Sequence, residues 1–197
     1  MSAKKDYEKK RDFDKTSEPR GDESYVKESK KPVFVIQKHD ASNLHYDFRL
    51  EIDETLKSWA VPKGPSTDPS EKRMAIPTED HPLAYGDFEG VIPENEYGGG
   101  AVMIWDRGSF ENLKDEKNLK EWYEKGHLEV KLNGEKLKGG YTLVKMTSGN
   151  MEGNWLLIKM DDEQADARRK PTSTENKSVK TGRSMDQIRK EDEHEDQ

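Results

Sequence analysis

Along residues 44–52, LHYDFRLEI, apolar Tyr46, Phe48, Leu50 and Ile52 alternate with polar His45, Asp47, Arg49 and Glu51. A period of two predicts a strand with one apolar face, because successive side chains point to opposite sides. VFVIQK precedes it from Val33, and further short apolar runs follow: SWAVP (58–62), RMAIP (73–77), AVMIWD (101–106), HLEVKL (127–132), YTLVKM (141–146) and NWLLIKM (154–160). Short strands separated by turn signals predict a mainly β fold, an antiparallel barrel or sandwich. Trp59, Trp105 and Phe110 fall in strand positions and are assigned to its core. Asn133-Gly134 predicts a two-residue type I′ hairpin, since both residues tolerate positive φ. The helix candidate is LKDEKNLKEWYEK (113–125), with Leu119, Trp122 and Tyr123 on one side and Gly126 as its stop.

The ends read differently. Residues 1–31 show no sustained hydrophobic period and are expected to form a flexible arm, in which the aromatic that ends YEKKRDF, Phe13, could pack. Past Met160 the residues are charged or small and polar, so 161–197 is expected to be a disordered tail, leaving 32–160 as the folded domain. Ser184 and Gln187 give that tail a capping-box signal for a short helix formed on binding. Charged residues make up 38% of the chain and hydrophobic ones 30%, in keeping with polar ends. No apolar run approaches the roughly 20 residues of a membrane span, and the lysine-rich start lacks a signal-peptide core. A soluble, cytoplasmic monomer is expected.

Chemistry narrows the reading further. The chain has no cysteine, so a metal would have to be held by His, Asp or Glu. The net charge of −7 argues against broad binding to polyanions and leaves a local basic pocket as the route to nucleic acid. In HDASNLHYDFRL (39–50), His45, Asp47 and Arg49 share one strand face with Cα atoms about 7 Å apart. A hairpin across the ASN turn would bring His39 beside His45. Two imidazoles and a carboxylate suit Mn²⁺, Fe²⁺ or Zn²⁺, and Arg49 is placed to bind an oxyanion. His81 and Tyr85 lie in EDHPLAYGDFEG, while Lys63 and Arg73 would complete a phosphate-sized cationic pocket. Asp40 reads as a turn residue, and Gly98-Gly99-Gly100, with no following Lys-Ser/Thr, as a turn or bulge rather than a P-loop.

With these residues assembled, the chain resembles the 3′-phosphoesterase domain of bacterial and archaeal DNA ligase D, in a free-standing form. The resemblance is carried by KRDF..T.EP (10–19), F.IQKHDASNLHYDFRLE (34–51), SWAVPKGPS (58–66), EDHPLAYGDFEG.IP (79–93), YGGG.V..WD.G.F (97–110) and NWLLIK (154–159). It implies a small β-barrel with one or two short helices, bearing a Mn²⁺-dependent site, with Co²⁺ or Zn²⁺ as alternative ions. It implies removal of a 3′-terminal ribonucleoside from a DNA primer-template and then of the resulting 3′-phosphate, leaving a 3′-OH for ligation in non-homologous end joining. By this resemblance His39, His45 and Asp47 hold the metal, and Arg49 and His81 contact the scissile phosphate with Tyr85 beside them. Gln37, Lys63, Arg73 and Glu79 support the site, and Arg11, Asp12 and Glu18 serve mainly the diesterase step. A separate DNA ligase and polymerase are the implied partners, and SVKTGRSMDQI looks like a remnant linker or docking peptide. Asn95 stands where the family usually has Gly, a swap that Asn tolerates if the position has positive φ. Two rivals remain: a noncatalytic end-binding module for a ligase, and a non-haem iron oxygenase built on His45, Asp47 and His81.

Overall fold

The computed structural model describes residues 3–27, 30–114 and 118–195. Its strands are β1 (Val33–Asp40), β2 (Leu44–Ile52), β3 (Thr55–Val61), β4 (Lys72–Pro77), β5 (Gly90–Ile92), β6 (Gly100–Asn112), β7 (His127–Gly134), β8 (Lys138–Lys145) and β9 (Trp155–Lys159). All neighbours pair antiparallel in the order β1-β2-β3-β4-β9-β8-β7-β6, and β1 pairs with β6 to close the barrel. Closure removes the exposed edges that an open sheet would leave. β5 lies outside the ring on the first residues of β6. Phe34, Ile36, Phe48, Leu50, Trp59, Trp105, Phe110, Leu132, Tyr141 and Leu157 belong to one buried cluster, so the three assigned core aromatics are where the alternation placed them.

Two turns differ from expectation. Asp53 and Glu54 take positive φ of 55° and 60° between paired Ile52 and Thr55, so the two-residue hairpin with both residues left-handed joins β2 to β3. Asn133 instead pairs with Lys138, which puts Glu135 and Lys136 at the tip of the β7–β8 hairpin. The Asp106 carboxylate sets this turn by accepting the backbone N–H groups of Glu135 (2.9 Å), Lys136 (3.0 Å) and Leu137 (2.8 Å). Gly134 is required for close approach: a Cβ there would lie 2.4 Å from Asp106 Oδ2 and 2.7 Å from Phe34 Cζ. Asn95 is not among the described residues with positive φ.

The ends pack more than their composition suggests. α1 (Ala3–Lys9) inserts Tyr7, fully buried, into a second apolar cluster with Val35, Leu56, Tyr85, Phe88, Ile92, Val102 and Ile104. The arm is therefore held against the outer face of β1 and β6 by Tyr7 and Phe13, and looped by the Tyr7 bond to the Pro19 carbonyl, rather than hanging free. α2 (Leu119–Glu124) is shorter than the expected helix, of which residues 115–117 lie outside the described ones; Leu119, Trp122 and Tyr123 pack on the core as their spacing predicts.

The tail expected to be disordered crosses the mouth of the barrel. Trp105 Nε1 donates to the Glu175 carbonyl (2.7 Å), Tyr46 Oη to that of Thr172 (3.1 Å) and Thr67 Oγ1 to that of Asp166 (2.8 Å). These partners are backbone carbonyls, which every residue type carries, so side-chain polarity does not foretell the contact. After α3 (Pro171–Thr174), α4 (Met185–Glu195) lies on β5 and β6. Its capping box forms as expected, with Ser184 N–H on Gln187 Oε1 (2.8 Å) and Gln187 N–H on Ser184 Oγ (3.3 Å). Ile188 is fully buried in the main core, and Arg189 forms an ion pair with Asp40. Ile188→Ala should therefore lower unfolding stability by about 2–4 kcal/mol in urea titrations, whereas a detached tail would leave the midpoint unchanged.

Candidate metal and phosphate site

The site is built on the β1–β2 hairpin. The register pairs His39 with His45 and Gln37 with Asp47 across a loop at 41–43, as the ASN turn predicts. The imidazole rings lie 4.9 Å apart. His39 Nδ1 is 3.5 Å from one Asp47 oxygen and His45 Nε2 is 3.4 Å from the other. All three ligand atoms fall within 4.8 Å of one another, and this trio is the one metal-competent His/Asp/Glu group among the described residues. The opposite ring nitrogens are committed to backbone: His39 Nε2–H donates to the Gly98 carbonyl (2.8 Å) and His45 Nδ1–H to that of Asn43 (2.9 Å). With the outer nitrogens so engaged, the nitrogens facing Asp47 can donate a proton to its carboxylate or, deprotonated, offer lone pairs to a metal, the usual support of a metal-binding histidine. The donor set fits a divalent cation of the Mn²⁺ or Zn²⁺ class.

The Gly98 carbonyl reaches His39 because the glycine run lets the chain turn tightly into β6. At Gly100, φ is +131° and a Cβ would sit 2.2 Å from the Asp40 carbonyl oxygen, so only glycine lets β6 approach the end of β1. Gln37 is delivered by an irregularity: Ile36 pairs with Asp106 but Gln37 with Ile104, leaving Trp105 as the extra residue of a bulge. Gln37 accepts from Arg49 Nε (2.7 Å) and donates to the carbonyls of Tyr85 (2.9 Å) and Phe88 (3.0 Å), tying β2 to the 3₁₀ turn Leu83–Asp87.

The row His45, Asp47, Arg49 is not a solvent face beyond its first member. Asp47 is 6% exposed and Arg49 3%, because the arm and the 3₁₀ turn cover them. Burial pushes the Asp47 carboxyl up, but Arg49, 3.3 Å away, and both histidines outweigh it and hold Asp47 far below the usual carboxylate range. His45 feels burial pulling its basicity down, yet Asp47 and the Asn43 carbonyl leave it net raised.

His81 is placed by a two-bond bridge to Leu56 and stands apart from the trio. Its Nδ1 lies 2.9 Å from the Glu79 carbonyl and 3.1 Å from Arg49 Nη1, and its Nε2 lies 3.4 Å from Arg11 Nη2. Burial first, then the Arg49 and Arg11 guanidiniums, push His81 well below its ordinary 6.5, so the ring is neutral. Burial likewise keeps Tyr85 protonated; its ring lies 4.5 Å from that of His81 and 5.0 Å from the Arg49 guanidinium. The iron-triad arrangement is thus not formed: His39, and not His81, completes the group with His45 and Asp47.

Arg11 is itself held by Glu18 (2.9 Å) and Glu79 (2.8 Å), so these three predicted residues converge on His81. Lys10, absent from the predicted set, joins them through Glu79 at 3.0 Å. Three others lie apart. Asp12 is half-buried and pairs with Lys15, Arg73 on β4 pairs with Glu71 at 2.6 Å, and Lys63 is exposed in the loop after β3. The carbonyls of Gly98 and Asn43 also escaped prediction, since a backbone acceptor has no residue signature; the glycine run was their one trace.

The burial of His81 has a measurable consequence. Below about pH 6.5 the unfolded chain takes up a proton that the folded ring refuses, so stability falls by about 1.4 kcal/mol per pH unit until the folded value is reached. In urea titrations with chelator between pH 6.5 and 5, wild type should lose stability relative to His81→Gln with that slope. Parallel pH dependences would show that His81 is freely protonated in the fold.

The geometry can be set beside known proteins. The profile described as DNA Ligase D 3′-phosphoesterase domain matches residues 37–145. A multifunctional non-homologous end joining protein LigD of Pseudomonas aeruginosa is 54% identical over 138 residues, covering 70% of this chain and 16% of that protein. The multifunctional non-homologous end joining DNA repair protein LigD of Mycobacterium tuberculosis is 44% identical over 145 residues, again 70% of this chain and 17% of the relative. The Mycolicibacterium smegmatis counterpart is 45% identical over 140 residues, with 18% of its length covered. The chain thus spans under a fifth of these curated relatives, and the matched stretch holds His39, His45, Asp47, Arg49 and His81. By both profile and identity, the chain belongs to the DNA ligase D 3′-phosphoesterase domain family.

Proposed function

We propose that this protein is a Mn²⁺-dependent phosphoesterase that heals DNA 3′ ends, removing 3′-terminal ribonucleosides and 3′-phosphates to leave a 3′-OH for ligation during non-homologous end joining. The observation that carries the reading is the pair of histidines locked by the Gly98 and Asn43 carbonyls with their free nitrogens toward Asp47, beside a buried Arg49. His39 Nδ1, His45 Nε2 and an Asp47 oxygen would hold the metal, which when bound supplies Lewis-acid charge to a phosphate oxygen. Co²⁺ or Zn²⁺ would satisfy the same donors. Family membership supports the substrate class, as the relatives are named for DNA end joining.

The chain's own residues do the rest. Arg49 and Arg11 present guanidinium N–H groups on either side of His81, where they offset the charge that builds on phosphate oxygens. In the diester reaction water's oxygen bonds to phosphorus and the bond to the terminal nucleoside's O5′ breaks; that oxygen leaves with a proton. His81 suits that proton transfer because phosphate charge counters the two cations that depress it, so its basicity rises as substrate enters. Tyr85, kept neutral, supplies bulk and edge contacts that hold the His81 ring. A DNA ligase and a polymerase of end joining are the proposed partners.

The direct test is a labelled primer-template ending in one or two ribonucleotides, incubated with Mn²⁺. Stepwise shortening followed by phosphate loss supports the proposal, and a retarded but intact primer would favour a binding module instead. Asp47→Ala and His45→Ala should remove Mn²⁺ binding, seen by electron paramagnetic resonance of the free ion, and both activities with it. Arg49→Lys should keep Mn²⁺ binding yet lower kcat by about 10²–10³-fold, since lysine cannot reproduce the fork that spans Gln37, Asp47 and His81.

A further inference from the structure

One aromatic ring near the centre is left without a role. Tyr97 is 51% exposed, although the tyrosines that line the centre, Tyr7 and Tyr85, are buried. It is bracketed by two corners of the site. On one side lie the arm cations, Lys10 Nζ at 5.0 Å and the Arg11 guanidinium at 5.5 Å from the ring centroid, and Arg11 reaches on to His81. On the other side the next residue, Gly98, gives its carbonyl to His39. A ring so placed stands at the rim of the position a scissile phosphate would occupy. The neighbouring Gly98, with Gly99 and Gly100, lines a pocket of about 430 Å³ together with Asp40, Ala41, Ser42 and Glu94.

The charge of that pocket decides what it can take. Its ionisable side chains are the carboxylates of Asp40 and Glu94, with Asp40 engaged by Arg189 from α4. With Asp40 paired to Arg189, Glu94 is the carboxylate that would repel the next phosphate of a continuing DNA strand, whereas a nucleoside beyond the scissile phosphate is uncharged. Glu94 and Ser42 also offer acceptors to sugar hydroxyls, as carboxylates commonly do for ribose. We propose that Tyr97 and the glycine-lined pocket form the subsite for the leaving nucleoside, with the terminal base stacked on the Tyr97 ring and its sugar toward Ser42 and Glu94. Stacking tolerates any base, because each presents a π face, so the subsite would impose little sequence preference. The inference rests on the 3′-end phosphoesterase reading.

Two primers separate the inference from that reading, one ending in a ribonucleoside and one ending in a 3′-phosphate, which carries nothing beyond the phosphate. Tyr97→Leu should raise KM for the nucleoside-ended primer roughly 5- to 100-fold, and shift that for the phosphate-ended primer less than about twofold. Tyr97→Phe, which keeps the ring, should match wild type on both. With 2-aminopurine as the terminal base and chelator present, wild type and Tyr97→Phe should change its fluorescence on binding and Tyr97→Leu should not. Equal losses on both primers would overturn the subsite and make Tyr97 a prop for Arg11, and no loss on either would also overturn it. Wild type that turns over neither primer overturns the enzymatic reading; the subsite falls with it only if the 2-aminopurine signal is absent as well.

Discussion

A carboxylate buried in a barrel wall is costly to keep ionised, and Asp47 is kept so by Arg49 at 3.3 Å and by two imidazoles on its other flanks. Removing one member of such a buried ion pair typically costs about 3–5 kcal/mol, since the survivor is left uncompensated. Much of the architecture around β2 can be read as the conditions for this arrangement. The bulge at Trp105 aims Gln37 at Arg49, the 3₁₀ turn accepts what Gln37 has left to donate, and the arm supplies Arg11 and closes the face to water. Charge neutralisation and exclusion of solvent are thereby achieved together.

That coupling explains why the arm is part of the centre. Tyr7 is anchored in the outer apolar cluster and bonds the Pro19 carbonyl at 2.7 Å, which closes the arm into a loop. Arg11, stacked 3.8 Å above the Tyr7 ring, is thus delivered to His81 by a hydrophobic anchor and not by charge alone. Glu18 and Glu79 then balance a guanidinium that would otherwise be buried unpaired.

The alternation in LHYDFRLEI and the ASN turn made the barrel wall and the His39–His45 pairing legible, because strand periodicity and hairpin closure are local rules. The Asn133-Gly134 turn was misread because Asp106, distant in sequence, competes for that hairpin's amides; the glycine there answers a steric demand from Phe34 and Asp106. The order of the tail is not legible in its composition because its apolar anchor is the single Ile188, and its other contacts are main-chain carbonyls and ion pairs such as Arg183 with Glu89 and Arg189 with Asp40, whose partners lie far away in sequence. Lys63, Arg73 and Asp12 carry charge of the right kind, but charge alone does not say which partners a fold will give them, and Arg73 pairs with Glu71 and Asp12 with Lys15.

The carbonyls of Asn43 and Gly98 orient the two histidines, and this has a consequence for how the centre can vary. Substituting Asn43 leaves its carbonyl in place, so the orientation of His45 is insensitive to side-chain identity there, whereas Gly98, at a φ of +79°, holds its carbonyl in a conformation that side chains strain. Both orientations depend on the reach of the segments at 41–43 and 93–99. Insertion or deletion of a single residue in either loop is therefore the change to which the centre is most exposed, and loop length is the variable through which its metal preference could drift.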